Sequence, residues 1–124
     1  MRRGSRAAGW TAWCGVSLLL LLSGCHSPWI QCTIVNHQGT PVSLVEVNYP
    51  GGSFGVQTIA PGASYHYRFR NLSSETVSIE FTDAARQSHT ATGPELDRGQ
   101  EGTLLIEIKP GNQVAWSPAL TPRE

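Results

Sequence analysis

At 124 residues, 40% hydrophobic and 15% charged, with a formal net charge of zero, the chain has room for one domain and no more. Nine basic residues balanced by nine acidic ones give none of the cationic excess that nucleic acid requires of a partner. Three cysteines are too few for a disulfide framework.

Arg2, Arg3 and Arg6 form a positive head with no acidic neighbour. A weakly apolar stretch follows, then a dense one from Val16 through Leu22 that includes five consecutive leucines, and then Ser23, Gly24 and Cys25. A basic head, a short apolar run and a small-residue exit are the three parts of a secretory signal. Leu22-Ser23-Gly24-Cys25 resembles the lipobox of bacterial lipoproteins. In that family the leucine seats the segment in the peptidase, and small residues let the scissile bond enter. The resemblance implies a signal peptide over residues 1–24 and cleavage between Gly24 and Cys25. It also implies a diacylglyceryl group on the Cys25 thiol and a further acyl chain, palmitate for example, on the new amine. Two or more chains anchor stably where one is marginal. Cys14 lacks these features, since bulky Trp13 precedes it and no apolar run leads into it.

The competing reading is an uncleaved signal-anchor helix. Ala7 to Gly24 carries no charge. Gly, Ser, Thr and two Trp dilute its first half, so the strongly apolar part falls short of the roughly 20 residues a span needs. The basic N-terminus stays inside on either reading. Both therefore put the domain on the outer side of the inner membrane, the periplasmic side in a Gram-negative cell. His26 in place of an aspartate after Cys25 favours outer-membrane over inner-membrane sorting there.

The expected organisation is a lipidated tether over 25–28, a β-domain over 29–117 and a loose tail over 118–124. Losing the three signal arginines leaves six basic against nine acidic residues, a net of −3. That argues against nucleic acid or a polybasic lipid surface as partner. With Cys25 lipidated, Cys32 is the other mature thiol, and no intramolecular disulfide can form.

Ile30, Cys32 and Ile34 alternate with more polar residues, as do Val45, Val47 and Tyr49, then Tyr65, Tyr67 and Phe69. Val77, Ile79 and Phe81 repeat the pattern, and Leu104, Ile106 and Ile108 close it. Period-two alternation of β-branched and aromatic residues marks strands with one buried face. Strands are expected at 29–36, 42–49, 54–59, 64–70, 76–82, 87–92, 102–109 and 113–117, with no helix. Pro61-Gly62 and Pro110-Gly111 suit the centre of a type II turn, and Asp83-Ala84-Ala85-Arg86 closes a hairpin. Arg68 and Arg70 should face solvent with His66, opposite the tyrosines. The expected fold is an all-β, immunoglobulin-like antiparallel sandwich of seven to eight short strands, with a small barrel as the alternative.

Gly51-Gly52-Ser53-Phe54-Gly55 matches the G-x-S-x-G nucleophile elbow, with Asp83 and His89 following in hydrolase order. The elbow needs a strand-to-helix turn on a parallel sheet, which this chain lacks, so the match reads as a glycine-rich β-connection. Glu95, Asp97, Gly99 and Glu101 alternate like part of a calcium loop, but the twelfth position falls on Ile106. They read as a solvated acidic loop. His26, His37, His66 and His89 are scattered without ligand spacing, and Asn71-Leu72-Ser73 is formally a glycosylation acceptor. Cys32, between Ile30 and Ile34, reads as a buried and inert thiol. No cofactor, metal site or catalytic set is expected.

The mature chain also resembles short bacterial lipoproteins built as one immunoglobulin-like sandwich. Val35-Asn36, Tyr49-Pro50, Phe54-Gly55, Pro61-Gly62, Phe81-Thr82-Asp83 and Gly102 carry the resemblance, spread over most of residues 30–110. It implies architecture and no activity. The function expected is a non-enzymatic, membrane-anchored envelope module that meets a protein partner through a sheet face or open edge. The alternative is a carbohydrate- or metal-binding envelope domain, with Trp29, Trp116 or Tyr49 stacking on sugar.

Overall fold

Strands with one apolar face must bury it, and two sheets laid face to face do so. The computed structural model of the protein describes residues 28–122. Its elements are β1 Trp29–Asn36, β2 Val42–Tyr49, β3 Gly52–Ile59, β4 Ser64–Arg70, β5 Glu75–Thr82, β6 Ser88–Leu96, β7 Glu101–Lys109 and β8 Gln113–Thr121. They form two four-stranded sheets, ordered β4-β1-β7-β8 and β3-β2-β5-β6. Pairing is antiparallel except between β1 and β7, which run parallel.

The sandwich is as expected, and the barrel is not formed: β3 and β4 end different sheets and share no ladder. Sheet membership differs from the immunoglobulin grouping, where the first, second, fourth and fifth strands share a sheet. Here β1 and β4 lie with β7 and β8, while β2 and β5 lie with β3 and β6. The connections 37–41, 60–63, 83–87 and 110–112 gather at one end of the sandwich. Connections 50–51, 71–74 and 97–100 lie at the other, where β1 begins.

The inward faces supply the core: Ile30, Cys32 and Ile34 from β1, Val45 and Val47 from β2, Val77, Ile79 and Phe81 from β5, and Leu104, Ile106 and Ile108 from β7. Gly62 has φ 77°, as the second central position of a type II turn demands, and the Ala63 amide donates to the Ala60 carbonyl at 3.0 Å. In the other turn Gly111 and Asn112 are both left-handed, with φ 83° and 62°. His66, Arg68 and Arg70 point outward and Phe69 inward, so the expected register of β4 holds. Tyr67 faces the seam between β3 and β4 and keeps 38% of its surface exposed. The cost of truncating it is therefore smaller than for a fully buried tyrosine.

Three elements run further than the sequence indicates. β3 starts at Gly52, immediately after the Pro50-Gly51 turn, in which Gly51 has φ 93°. β6 continues through Gly93 and Pro94 to Leu96, which is fully buried. β8 continues to Thr121, so residues 118–121 are not a loose tail. Pro118 is tolerated there because β8 is an edge strand, where a missing amide interrupts no ladder. A bulge between Ser43 and Glu46 reverses the alternation of β2, placing both Val42 and Val45 in the core. Leu44 absorbs the bulge with φ 50° and is left 59% exposed.

Cys32 is 1% exposed, and burial pushes its thiol up to about 12. A thiol that stays protonated at neutral pH is a poor nucleophile. Cys32 of the native chain should therefore resist a thiol reagent that labels it at once after denaturation. Cys32→Ala should cost about 1 kcal/mol, the loss of one small buried group. Rapid native labelling would refute the packing role.

Candidate functional site

Leu22, Ser23, Gly24, Cys25 and His26, and with them the expected signal segment and most of the expected tether, lie outside the described residues. Among the described residues no helix is long and apolar enough to cross a membrane. The folded domain begins almost at once, since β1 starts at Trp29, four positions after Cys25.

A sandwich of two open sheets has four edge strands, here β3, β4, β6 and β8. Exposed edges invite pairing with other chains, and charge or proline blunts them. β4 carries Arg68 and Arg70, β6 carries His89, Pro94 and Glu95, and β8 carries Pro118. β3, Gly52-Ser53-Phe54-Gly55-Val56-Gln57-Thr58-Ile59, carries neither a charge nor a proline. It keeps one register with β2 from Tyr49↔Gly52 to Val42↔Ile59, interrupted opposite Leu44, and no strand pairs with its outer edge.

Beside that edge the outer face of the sheet is concave. A shallow hollow of ≈ 420 Å³ is lined by Leu44, Val45, Glu46, Gly55, Val56, Gln57 and Glu80. Gly55, Glu46 and Glu80 stand in one cross-strand row on β3, β2 and β5. Gly55 has no side chain, which leaves the row open from the free edge to the two carboxylates. A Cβ there would sit 3.0 Å from the Val45 carbonyl oxygen. Like charges directly opposite each other are unfavourable, and Ser88 Oγ, 3.4 Å from Glu80 Oε2, offsets little of that.

The sequence motifs are dispersed. Ser53 lies on exposed strand β3, level with Asn48 and Ser78, near the end of the sandwich where β1 begins. Asp83 and His89 lie at the opposite end, about 17 Å further along β5 at strand rise. Asp83 Oδ2 and His89 Nε2 do meet, at 2.8 Å, but no serine nucleophile joins them. Asn112 Nδ2 lies 3.3 Å from Asp83 Oδ2, and Gln38 Nε2 donates to Asn112 Oδ1 at 2.9 Å. The group thus ties three connections together. His37 pairs with Glu107 at 2.9 Å, and His66 Nδ1 lies 3.0 Å from Thr33 Oγ1. Among the described residues no three His, Cys, Asp or Glu side chains converge as metal ligands. Asp97 to Gln100 is a closed turn, with Gly99 at φ 82°. Asn71 is 2% exposed; its Nδ2 donates to the Asp97 carbonyl, while its Oδ1 is buried without a partner among the described residues.

The His89 contact and the Gln87 amide hold Asp83 below the usual carboxylate range. A depressed folded-state pKa contributes stability above the unfolded value, about 3.9, that is lost as pH falls through the folded value. The stability difference between wild type and Asp83→Asn should therefore be largest near neutrality and shrink below about pH 4. Melting temperature against pH tests this, and a difference that grows on acidification would contradict it.

The candidate stacking aromatics are mostly occupied. Tyr49 stacks on Phe69, centroids 4.0 Å apart, and burial together with Tyr67 pushes its hydroxyl pKa up. Trp116 lies flat over Gly93, where a Cβ would come within 2.6 Å of the indole. Phe54 stacks on Tyr67 with centroids 4.2 Å apart, sealing the seam between β3 and β4.

No family model matches the chain, and no curated protein matches it. A solved structure is similar: the NMR structure of a protein from Eubacterium rectale, at 16% identity and a TM-score of 0.53. The match covers 72% of this chain and 86% of that one. At that identity it supports the fold alone.

Proposed function

We propose that the chain is a lipid-anchored envelope lipoprotein whose sandwich, without enzymatic activity, holds a protein partner by adding a strand of that partner to β3. The observation that carries this reading is the β3 edge, eight residues without charge or proline beside three edges that have one or the other. Backbone hydrogen bonds along such an edge supply affinity, and side-chain pockets beside it supply specificity. The hollow past Gly55 fits a partner strand with a basic side chain that reaches Glu46 and Glu80, relieving their mutual repulsion. The lipobox-like Leu22-Ser23-Gly24-Cys25 supplies the address.

Two measurements test the reading. Mass spectrometry of the membrane-extracted protein should find the N-terminus at Cys25, carrying diacylglycerol. Retained Arg2 and Arg3 would refute the anchor. Lysine at Ser53 and Gln57, both exposed on β3, should abolish photo-cross-linking of the partner in the native envelope. The double variant should change stability by no more than about 0.5 kcal/mol per site, as for ordinary surface positions. Undiminished cross-linking would remove β3 from the interface. Outer-membrane placement is checked by density fractionation of the envelope.

A further inference from the structure

The outer face of β1 and β4 has a chemistry that the net charge of −3 conceals. Its residues pair across the two strands as Trp29↔Arg70, Gln31↔Arg68 and Thr33↔His66. The Arg68 guanidinium lies 4.4 Å from the Trp29 ring centroid and that of Arg70 5.8 Å away, both within cation–π range. Both arginines are exposed. Neither forms an ion pair among the described residues, whose pairs are His37–Glu107 and His89–Asp83. The strands β1, β4 and β8 of this sheet contain no acidic residue. β7 contributes Glu101, one strand beyond Trp29, and Glu107, which is held by His37 at the far end. Two arginines resting on a tryptophan thus keep their donors free for an outside anion.

Their position is set by the chain. Trp29 is four residues from Cys25, so the two Cα atoms are at most about 14 Å apart however the tether runs. Arg70 ends β4 at the same end of the sandwich, and Leu72, 59% exposed, follows it in the connection 71–74. Tryptophan and arginine together make an amphipathic surface suited to the headgroup layer.

We infer that Trp29, Arg68 and Arg70 dock the domain on anionic phospholipid headgroups beside its own anchor, which fixes its orientation on the membrane. The inference rests on the lipoprotein reading, because the anchor at Cys25 is what brings the bilayer within reach of the patch. Docking would lay the β1–β4 face toward the lipid. The β3 edge ends the other sheet and would remain open at the side.

The test uses the intact lipidated protein carrying Trp116→Phe, which leaves Trp29 as the mature chain's tryptophan. It is reconstituted into vesicles of phosphatidylcholine alone, or of equal parts phosphatidylcholine and phosphatidylglycerol, each doped with headgroup spin-labelled lipid. Trp29 fluorescence should be quenched on the anionic vesicles, and molar salt should reverse this as the Debye length falls to about 3 Å. Arg68→Gln with Arg70→Gln should lower the docked-to-free ratio about fivefold per arginine. Should Trp116→Phe fail to fold, Trp29→Phe in the wild-type background gives the same reading by difference. Equal quenching on neutral vesicles, or none on anionic ones, overturns the inference. So does quenching that appears only after solubilised envelope protein is added, which would assign the patch to a protein. A mass without lipid on Cys25 overturns the anchor reading and this inference together, whereas a lipidated chain with unquenched Trp29 overturns this inference alone.

Discussion

Replacing Gly102 by alanine should cost about 3–5 kcal/mol, from overpacking and backbone strain together. Gly102, the second residue of β7, has φ 137°, a conformation that L side chains rarely adopt. An added Cβ would lie 2.2 Å from the Ala119 carbonyl oxygen and 3.1 Å from the Leu120 Cα. Those are backbone atoms of β8, held by the Gly102↔Leu120 pairing, while β1 flanks β7 on its other side. No flexible side chain can yield, so either β8 peels away or β7 shifts against the core. Against a total stability of about 5–15 kcal/mol, the variant should melt far below wild type. A loss under about 0.5 kcal/mol, within the range of an ordinary surface change, would mean that residues 118–121 separate from β7 at little cost.

The second large effect is expected at Asn36, which is fully buried at the end of β1. Its side-chain amide donates to the carbonyls of Thr40 at 2.9 Å and Ile59 at 3.0 Å, and its Oδ1 accepts the Gln38 amide at 2.9 Å. One side chain thus stands in for three backbone partners, joining the first connection to the end of β3. Asn36→Ala leaves all three groups without their partner, and each unsatisfied buried group costs about 1–3 kcal/mol. Partial access of water to Thr40 and Gln38 brings the expected loss to about 3 kcal/mol. Asn36→Asp should be worse than alanine, because it faces two carbonyl oxygens with a carboxylate. Chemical denaturation of the three proteins checks the order, and an aspartate variant as stable as wild type would show that the amide donors carry nothing.

Neither residue could be ranked from sequence. Gly102 was legible as a glycine entering a long strand, and Asn36 as a polar residue before a turn. What makes them costly is the Ala119 carbonyl and the Ile59 carbonyl, 17 and 23 positions away in the chain. The candidate interface divides in the same way. The lipobox-like residues 22–25 can be read only as sequence, since they lie outside the described residues. The β3 edge can be read only from the fold, because a strand without charge or proline looks the same whether it is central or at an edge.

What the sequence determined by itself is the set of strands and the face each presents. Alternation of Ile30, Cys32 and Ile34, or of Val77, Ile79 and Phe81, depends on the period of one strand, which the backbone fixes locally. The turns at Pro61-Gly62 and Pro110-Gly111 are local too, because ring closure and a missing Cβ act within a few residues. Sheet membership, the parallel pairing of β1 with β7 and the bulge at Leu44 needed the tertiary structure. So did the Asp83–His89 contact and the arginines over Trp29. Alternation says that a face must be covered but not which strand covers it. That choice is made by packing and hydrogen bonding between segments far apart in the chain, which leave no period in the sequence.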